Sequence, residues 1–391
     1  MRGGAGGGRG RRRAAPRPGE DAEVVDRPAL RPRERAGAPR LRADAAEGGP
    51  PGAAPLDARR RRPGGDLALR PDGRRRRGGH AVKLVVTGGT GHLGRAACHA
   101  FARAGHEVVA ASRSGRLPAP LFGEAAGEGI RALALDLSED AAVDALAAEL
   151  GPTVGLVHLA AWHPPSTAHT TAEDRRRLVD VNVLGTMRAL DAARKAGASV
   201  VVYASSFEVY GEPREAPVSE AARTYPLSDY GATKLAGEHH AQAFTDEEGI
   251  RSVSLRMPAV YGPGETTSRA LPNFLRRVAA GERPVIFGDG LDQRDQLHVR
   301  DAAAALAAAL ERGRGPYNVA DGAPHSVAEL ARVAMKVAGL PGAPEPAPRE
   351  KRRRDFHMSI ERARAELAFA PAVPLEEGMA EELAWLKSEA P

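Results

Sequence analysis

Tyr230 and Lys234 stand four residues apart in the run Tyr-Gly-Ala-Thr-Lys, and the pair Ser205-Ser206 ends 24 residues before the tyrosine. On a helix, positions i and i+4 share one face. A free phenol has a pKa of about 10 and is a poor base at neutral pH. A nearby ammonium favours the phenolate and brings that value towards the working range. A tyrosine so placed can exchange a proton with a substrate hydroxyl while one of the serines orients the same oxygen. By itself the spacing is common by chance. It becomes a mechanism only beside a site for a hydride carrier.

That site is legible in Thr87-Gly-Gly-Thr-Gly-His-Leu-Gly94, where glycines recur at 88, 91 and 94. The motif directly follows the apolar run Lys83–Thr87 and opens a helical stretch, the context of a dinucleotide-binding turn rather than of a plain tight turn. Glycines let the backbone approach a pyrophosphate, and free N–H groups at the helix start favour its charge. The next apolar run, Glu107–Ala111, leads into Ser112-Arg113-Ser114-Gly115-Arg116 with no acid at its end. An acid there would bond the adenosine ribose hydroxyls of NAD. Ser112 and Arg113 favour the 2′-phosphate of NADP instead, although the arginine would equally serve by stacking on adenine or by facing solvent. The cofactor is therefore NAD(P), with NADP preferred. No Cys/His cluster has metal-ligand spacing, so no metal is expected.

The elements that must position these residues follow from the hydrophobic pattern. Apolar runs recur at 130–135, 154–160, 199–204 and 251–256, separated by helix-like stretches at 139–150, 173–196 and 229–248. Strands alternating with helices, too apolar to be half exposed, specify an α/β fold with a doubly wound parallel Rossmann sheet. After Met257 the rhythm loosens. A core of residues 82–257, completed by about 289–321, is expected, with 258–288 and 322–391 forming a small C-terminal substrate-binding lobe.

Composition bounds the remaining possibilities. The chain has 391 residues and a net charge of +6, but the first 80 hold 21 arginines, no lysine and 10 acids. Residues 81–391 carry 35 basic and 40 acidic side chains, so the basic excess belongs to the N-terminal tail. That tail, residues 1–81, has few aliphatic side chains and no aromatic, and is expected to be disordered. Its arginine clusters suit nucleic acid, yet G+C-rich upstream sequence read in frame, with a start at Val82, has the same composition. Nucleic acid is not expected as a partner of the domain. No run of apolar residues is long enough for a membrane span, and the single cysteine, Cys98, fits a reducing compartment. A cytoplasmic enzyme is expected.

With these motifs in order, the chain resembles the extended short-chain dehydrogenase/reductase family, the NAD(P)-dependent epimerase/dehydratase group. The resemblance spans essentially 82–391. It rests on Thr87–Gly94, Asp136-Leu137, His158-Leu-Ala-Ala161, Asn182 in Asn-Val-Leu-Gly-Thr186, Ser205-Ser-Phe-Glu-Val-Tyr-Gly211, Tyr230–Lys234, Val260-Tyr-Gly-Pro-Gly264, and Gly288-Asp-Gly with Arg294–Asp301. Similarity to the family implies that Ser206, Tyr230 and Lys234 are catalytic. It implies cofactor contacts from Gly88, Gly91, His92, Leu93, Gly94, Asp136, Leu137, Leu159, Ala160, Ala161 and Asn182, besides Tyr230 and Lys234. Trp162 and His163 would line the substrate pocket together with Ser206. Phe287, Arg294 and Arg352 would hold a nucleotide diphosphate and its base, and a homodimer is usual.

Two departures narrow the chemistry. Dehydratases of this group have an Asp-Glu pair after the catalytic hydroxyl, where this chain has Phe207-Glu208; phenylalanine cannot protonate a leaving hydroxyl. Ala259 replaces the asparagine that many UDP-hexose epimerases place before Val-Tyr-Gly-Pro. The expected activity is NAD(P)-dependent epimerisation of a nucleotide sugar. An NADP-dependent reductase or dehydrogenase of a sugar or small carbonyl is the alternative. A dinucleotide-sensing or RNA-binding protein on the same fold would commonly lose the tyrosine or lysine, and both are present here.

Overall fold

The computed structural model describes residues 81–123, 127–165, 170–213, 215–349 and 353–389. The expectation for the tail, and the role assigned to Arg352, lie outside these residues. The central sheet contains β1 (Lys83–Thr87), β2 (Glu107–Ser112), β3 (Ile130–Ala134), β4 (Gly155–His158), β5 (Val200–Ser206) and β6 (Arg251–Met257), with Gly315–Asn318 as its far edge. All seven strands are parallel, in the order β3-β2-β1-β4-β5-β6 followed by that edge strand. The order reverses between β1 and β4, and the crevice beyond the carboxyl ends of those strands is where this architecture places ligands.

Strand alternation divides the core between two faces. Leu84, Val86, Val108, Val202 and Leu255 turn to one side, under α1 (His92–Arg103) and the alanine-rich α7 (Val299–Glu311). Val85, Val109, Leu156 and Val201 turn to the other, under α2 (Ala142–Ala147) and α4 (Gly185–Ala196). Burial on both faces explains why the runs read as continuously apolar. Each fully buried aliphatic side chain contributes roughly 1.5–3 kcal/mol.

Beyond β6 a separate apolar cluster forms between α6 (Ala270–Ala279), α8 (Val327–Ala338) and α9 (Leu375–Ser388). Three short strand pairs accompany it, among them Val285–Phe287 with Glu345–Ala347 and Gln293–Arg294 with His325–Ser326.

Two elements differ from the sequence reading. The stretch 173–196 is helical throughout, as read, but not regular: α3 (Ala172–Leu178) and α4 are joined by a π-helical segment, Val179–Leu184. The edge strand Gly315–Asn318 (Gly-Pro-Tyr-Asn) has the composition of a turn, yet it pairs with β6 from Val253 to Arg256. An edge position accepts Pro316 because its missing N–H withdraws nothing from a neighbour on the open side.

Candidate active site

The first βα turn is shaped by close backbone approach. Gly88 has φ +72°, and a side chain on it would meet the Ala160 backbone at 2.8 Å. A Cβ on Gly94 would lie 2.1 Å from the Gly88 carbonyl, so α1 can pack this tightly on the turn only with glycine there. Gly91 is the N-cap of α1 and is exposed, and His92 and Leu93 begin the helix with their N–H groups at its open end. The result is a cradle from which side chains are excluded, beside Leu159 and Ala160 at the end of β4. This is a fit for a dinucleotide pyrophosphate. His92 Nδ1 lies 3.4 Å from the buried Glu265 carboxylate, a tie between α1 and the loop after β6.

At the end of β2, Ser112 is buried and its hydroxyl lies 3.2 Å from that of Ser114, while Arg113 is exposed. Asp136, after β3, accepts the Ser138 N–H at 2.9 Å and its hydroxyl at 2.8 Å. Those two bonds, with Arg113 acting from a distance, hold its carboxyl below the usual range. Leu137 is buried in the sheet-face core, so only its backbone is available to a ligand; its carbonyl accepts from Arg188.

The π segment places Asn182 where a regular helix would not. Its side chain is buried, accepts the Trp162 N–H at 2.7 Å, and donates to the Trp162 carbonyl at 2.9 Å and to Thr233 Oγ1 at 3.1 Å. Asn182 therefore clamps the loop after β4, including Ala161, Trp162 and His163, to α5 (Asp229–Glu248). The Trp162 ring also lies 5.0 Å from the Arg177 guanidinium.

Tyr230 and Lys234 lie in the first two turns of α5. Ser228 caps this helix by accepting the Gly231 N–H at 3.0 Å, and its own hydroxyl donates to Glu208 at 2.5 Å. Glu208 sits in the single 3₁₀ turn Phe207–Tyr210 that Ser206 opens, and its N–H donates to Ser206 Oγ at 3.2 Å. One chain of hydrogen bonds thus fixes the end of β5 against the start of α5. The Lys234 ammonium donates to the Ala204 carbonyl at 2.8 Å and lies 5.0 Å and 5.7 Å from the Tyr203 and Tyr230 ring centres. Burial pushes Lys234 down to about 8, against the opposing pull of Glu238.

The two serines have different partners. Ser205 donates to the buried Glu238 carboxylate, which is in turn paired with Arg256 at 2.6 Å. Ser206 accepts from Glu208 and keeps its proton to give. Sequence reasoning passed over Glu238 and Arg256, although Glu238 follows Lys234 by one further helical turn.

Tyr230 departs from the simple expectation. Burial and the Glu208 carboxylate raise its pKa, and the cation that opposes them is Arg269, not Lys234. Among the described residues none hydrogen-bonds the Tyr230 hydroxyl. His163 packs its ring 4.6 Å from the Tyr230 ring and lies 3.4 Å from the Arg269 guanidinium. Burial, then Arg269, holds His163 below its ordinary value, so it is neutral at pH 7. Arg269 was not foreseen, because nothing in Thr-Thr-Ser-Arg marks it apart from other loop arginines. His158 is likewise neutral, pushed down to about 3 by burial. It bridges Thr87 at 2.7 Å and Thr186 at 3.0 Å, so its place is structural.

Phe207 turns away from this cluster and packs 4.9 Å from Phe356. Phe287 is 66% exposed. Arg294 is half-buried, 3.3 Å from Asp292, and donates to the carbonyls of Gln293 and Arg354. Arg349 bridges Asp289 and Asp292. Among the described residues no hydrogen bond, ion pair or ring contact joins Phe287 or Arg294 to Tyr230. Among the described residues no group of three His, Cys, Asp or Glu side chains could hold a metal, and no helix is long and apolar enough to cross a membrane.

Comparison with known proteins adds to this geometry. The family model described as NAD dependent epimerase/dehydratase family matches residues 84–320. A UDP-glucose 4-epimerase of Mycolicibacterium smegmatis is 32% identical over 323 residues, 79% of this chain and 99% of that protein. A dTDP-4-dehydro-6-deoxy-D-allose reductase of Streptomyces bikiniensis is 30% identical over 324 residues, 78% of this chain and 96% of that one. Among solved structures, the UDP-glucose 4-epimerase of Thermus thermophilus in complex with NAD superposes with a TM-score of 0.68 at 27% identity, over 79% of this chain and 100% of that one.

Proposed function

The chain belongs to the NAD dependent epimerase/dehydratase family, and from that premise we propose that it epimerises a nucleotide sugar by transient oxidation at a ring carbon. The observation that carries this reading is Ser206 at the carboxyl end of β5 beside the start of α5, where Lys234 lies 5.7 Å from the Tyr230 ring centre and, among the described residues, none hydrogen-bonds the Tyr230 hydroxyl. NAD(P), when bound, supplies the acceptor and donor of hydride. Gly88, Gly91, His92, Leu93 and Gly94 would hold its pyrophosphate, Ser112 and Arg113 its adenosine ribose, and Asp136 and the Leu137 backbone its adenine. Leu159, Ala160, Ala161 and Asn182 would flank its nicotinamide half, and Lys234 would hold the ribose there. The absence of an acid after β2 supports NADP; the NAD of the Thermus enzyme is the counterweight.

Tyr230 takes the proton from the sugar hydroxyl and later returns it, and Ser206 donates to the same oxygen. Because burial raises the phenol, it works as a base only with a cation beside it, and in the cofactor-free protein that cation is Arg269. Phe207, packed against Phe356, supplies no acid for loss of water, which speaks against dehydration. Residues 82–257 with about 289–321 would form the dinucleotide-binding part and 258–288 with 322–391 the substrate-binding lobe, the sugar nucleotide meeting Phe287 from the lobe and Trp162, His163 and Arg294 from the core. The exposed Val179, Leu184 and Met187 support a homodimer through the α3–α4 face.

A second reading, reduction of a keto-sugar with release of NADP, draws support from Arg113 and from the Streptomyces bikiniensis relative. Cofactor analysis separates the two. Dinucleotide retained through dialysis, with a second sugar stereoisomer appearing by NMR, is the outcome expected of an epimerase. Empty protein that consumes NADPH with a keto-sugar would replace that reading with the reductase.

A further inference from the structure

Arg269 occupies an unusual place for a cation. It is half-buried at the N-cap of α6, its side chain makes no capping bond, and its guanidinium reaches a neutral imidazole, His163, at 3.4 Å. Among the described residues it pairs with no carboxylate. The other charges acting on His163 are Glu208 and Lys234, and both are engaged. Glu208 accepts the Ser228 hydroxyl and Lys234 donates to the Ala204 carbonyl. Among the described residues the balance of Arg269, Lys234 and Glu208 is one positive charge, beside the His163 ring that packs on the tyrosine meeting the reacting hydroxyl. A partly desolvated guanidinium lacking a counter-charge is costly, and a planar carboxylate is the group its fork of donors fits best.

Resting on the epimerase reading, we propose that Arg269 selects an acidic sugar: a nucleotide sugar whose carboxylate lies within a bond or two of the reacting carbon. His163 is the positioning residue that holds the guanidinium from behind and, being neutral, does not compete for the anion. A neutral sugar would leave the charge unanswered.

The test is calorimetric titration of UDP-glucuronic acid and UDP-glucose, which differ only at that substituent, into the wild type, Arg269→Gln and Arg269→Lys. The wild type should bind the acid about tenfold or more tightly than the neutral sugar, the range of one charged hydrogen bond. Arg269→Gln should bring the ratio near one, and Arg269→Lys should retain most of it. Equal affinities in the wild type, binding of neither sugar, or a preference that survives in Arg269→Gln would overturn the assignment. Turnover of the same two sugars, followed by NMR, distinguishes the failures. Acid-selective binding without epimerisation leaves Arg269 its role and removes the proposed reaction. Epimerisation without acid preference does the reverse.

Discussion

Around Tyr230 the polar side chains are buried or half-buried, and Ser206, Glu208, Lys234 and Asn182 are each fixed by a hydrogen bond: Ser206 to Glu208, Glu208 to Ser228, Lys234 to Ala204, Asn182 to Trp162. Around Arg294 the arginines are part-exposed and converge on one buried carboxylate, Arg294 with Asp292, and Arg349 with Asp292 and the exposed Asp289. The energetics of the two regions differ accordingly. Exposed ion pairs contribute about 0–1 kcal/mol, so their members can exchange a carboxylate for a phosphate at small cost. Buried partners cannot rearrange without leaving a group unsatisfied. One region is rigid and suited to moving a proton between fixed atoms; the other is suited to recognising a charged ligand that arrives and leaves.

The strongest way to break this contrast lies at its buried end. Tyr230→Phe should lower turnover by about 10²–10⁴-fold with dinucleotide binding intact, and Ser206→Ala should lower it less. Ser205→Ala should instead reduce stability, since its hydroxyl serves Glu238. Single-turnover kinetics and thermal unfolding on the same proteins decide this; wild-type turnover in Tyr230→Phe would remove the assigned chemistry. Next in size, Arg113→Asp should reverse a preference for NADP over NAD, a change of about 10–150-fold for a lost charged contact. Titration of both dinucleotides checks it, and an NAD preference in the wild type would refute the choice.

A pH series sharpens the comparison. Lys234 is charged below about 8 and neutral above it in the cofactor-free protein. Dinucleotide affinity should therefore be flat up to pH 8 and fall by up to about tenfold per unit above it, as linkage to one proton requires. The same depressed value means that the folded state binds this proton less readily than the unfolded chain, so its contribution to stability rises between pH 8 and the unfolded lysine value. Arginine does not titrate in this range, so the Arg294 region should be silent. The smallest effect belongs there. Arg294→Ala should raise KM for the nucleotide sugar by a few-fold with kcat unchanged, because its present partners are exposed carbonyls and one aspartate.

The sheet, the glycine turn and the Tyr230–Lys234 pair were legible because each is local: short continuously apolar runs between helical stretches, a glycine spacing, one helical turn. The choice of Ser206 over Ser205 came from family resemblance, and the geometry now supplies a physical reason in the partner each hydroxyl takes. Arg269, Glu238 and Arg256 were not legible. Their roles depend on contacts between elements far apart in the chain, and no local pattern separates a site arginine from a surface one in a sequence with 56 basic residues. The edge strand Gly315–Asn318 was hidden by its turn-like composition.

The π segment Val179–Leu184 carries a consequence for anyone who would redesign this protein. Deleting one residue there would restore regular helical bonding from α3 into α4 and make that stretch a better helix in isolation. It would also turn Asn182 by roughly 100° about the axis, away from Trp162 and Thr233. Selection for helical regularity alone would favour such a deletion, whereas a screen for turnover would reject it with the Asn182 clamp lost. The segment is thus a position at which selection for a sturdier fold and selection for a working catalyst oppose each other.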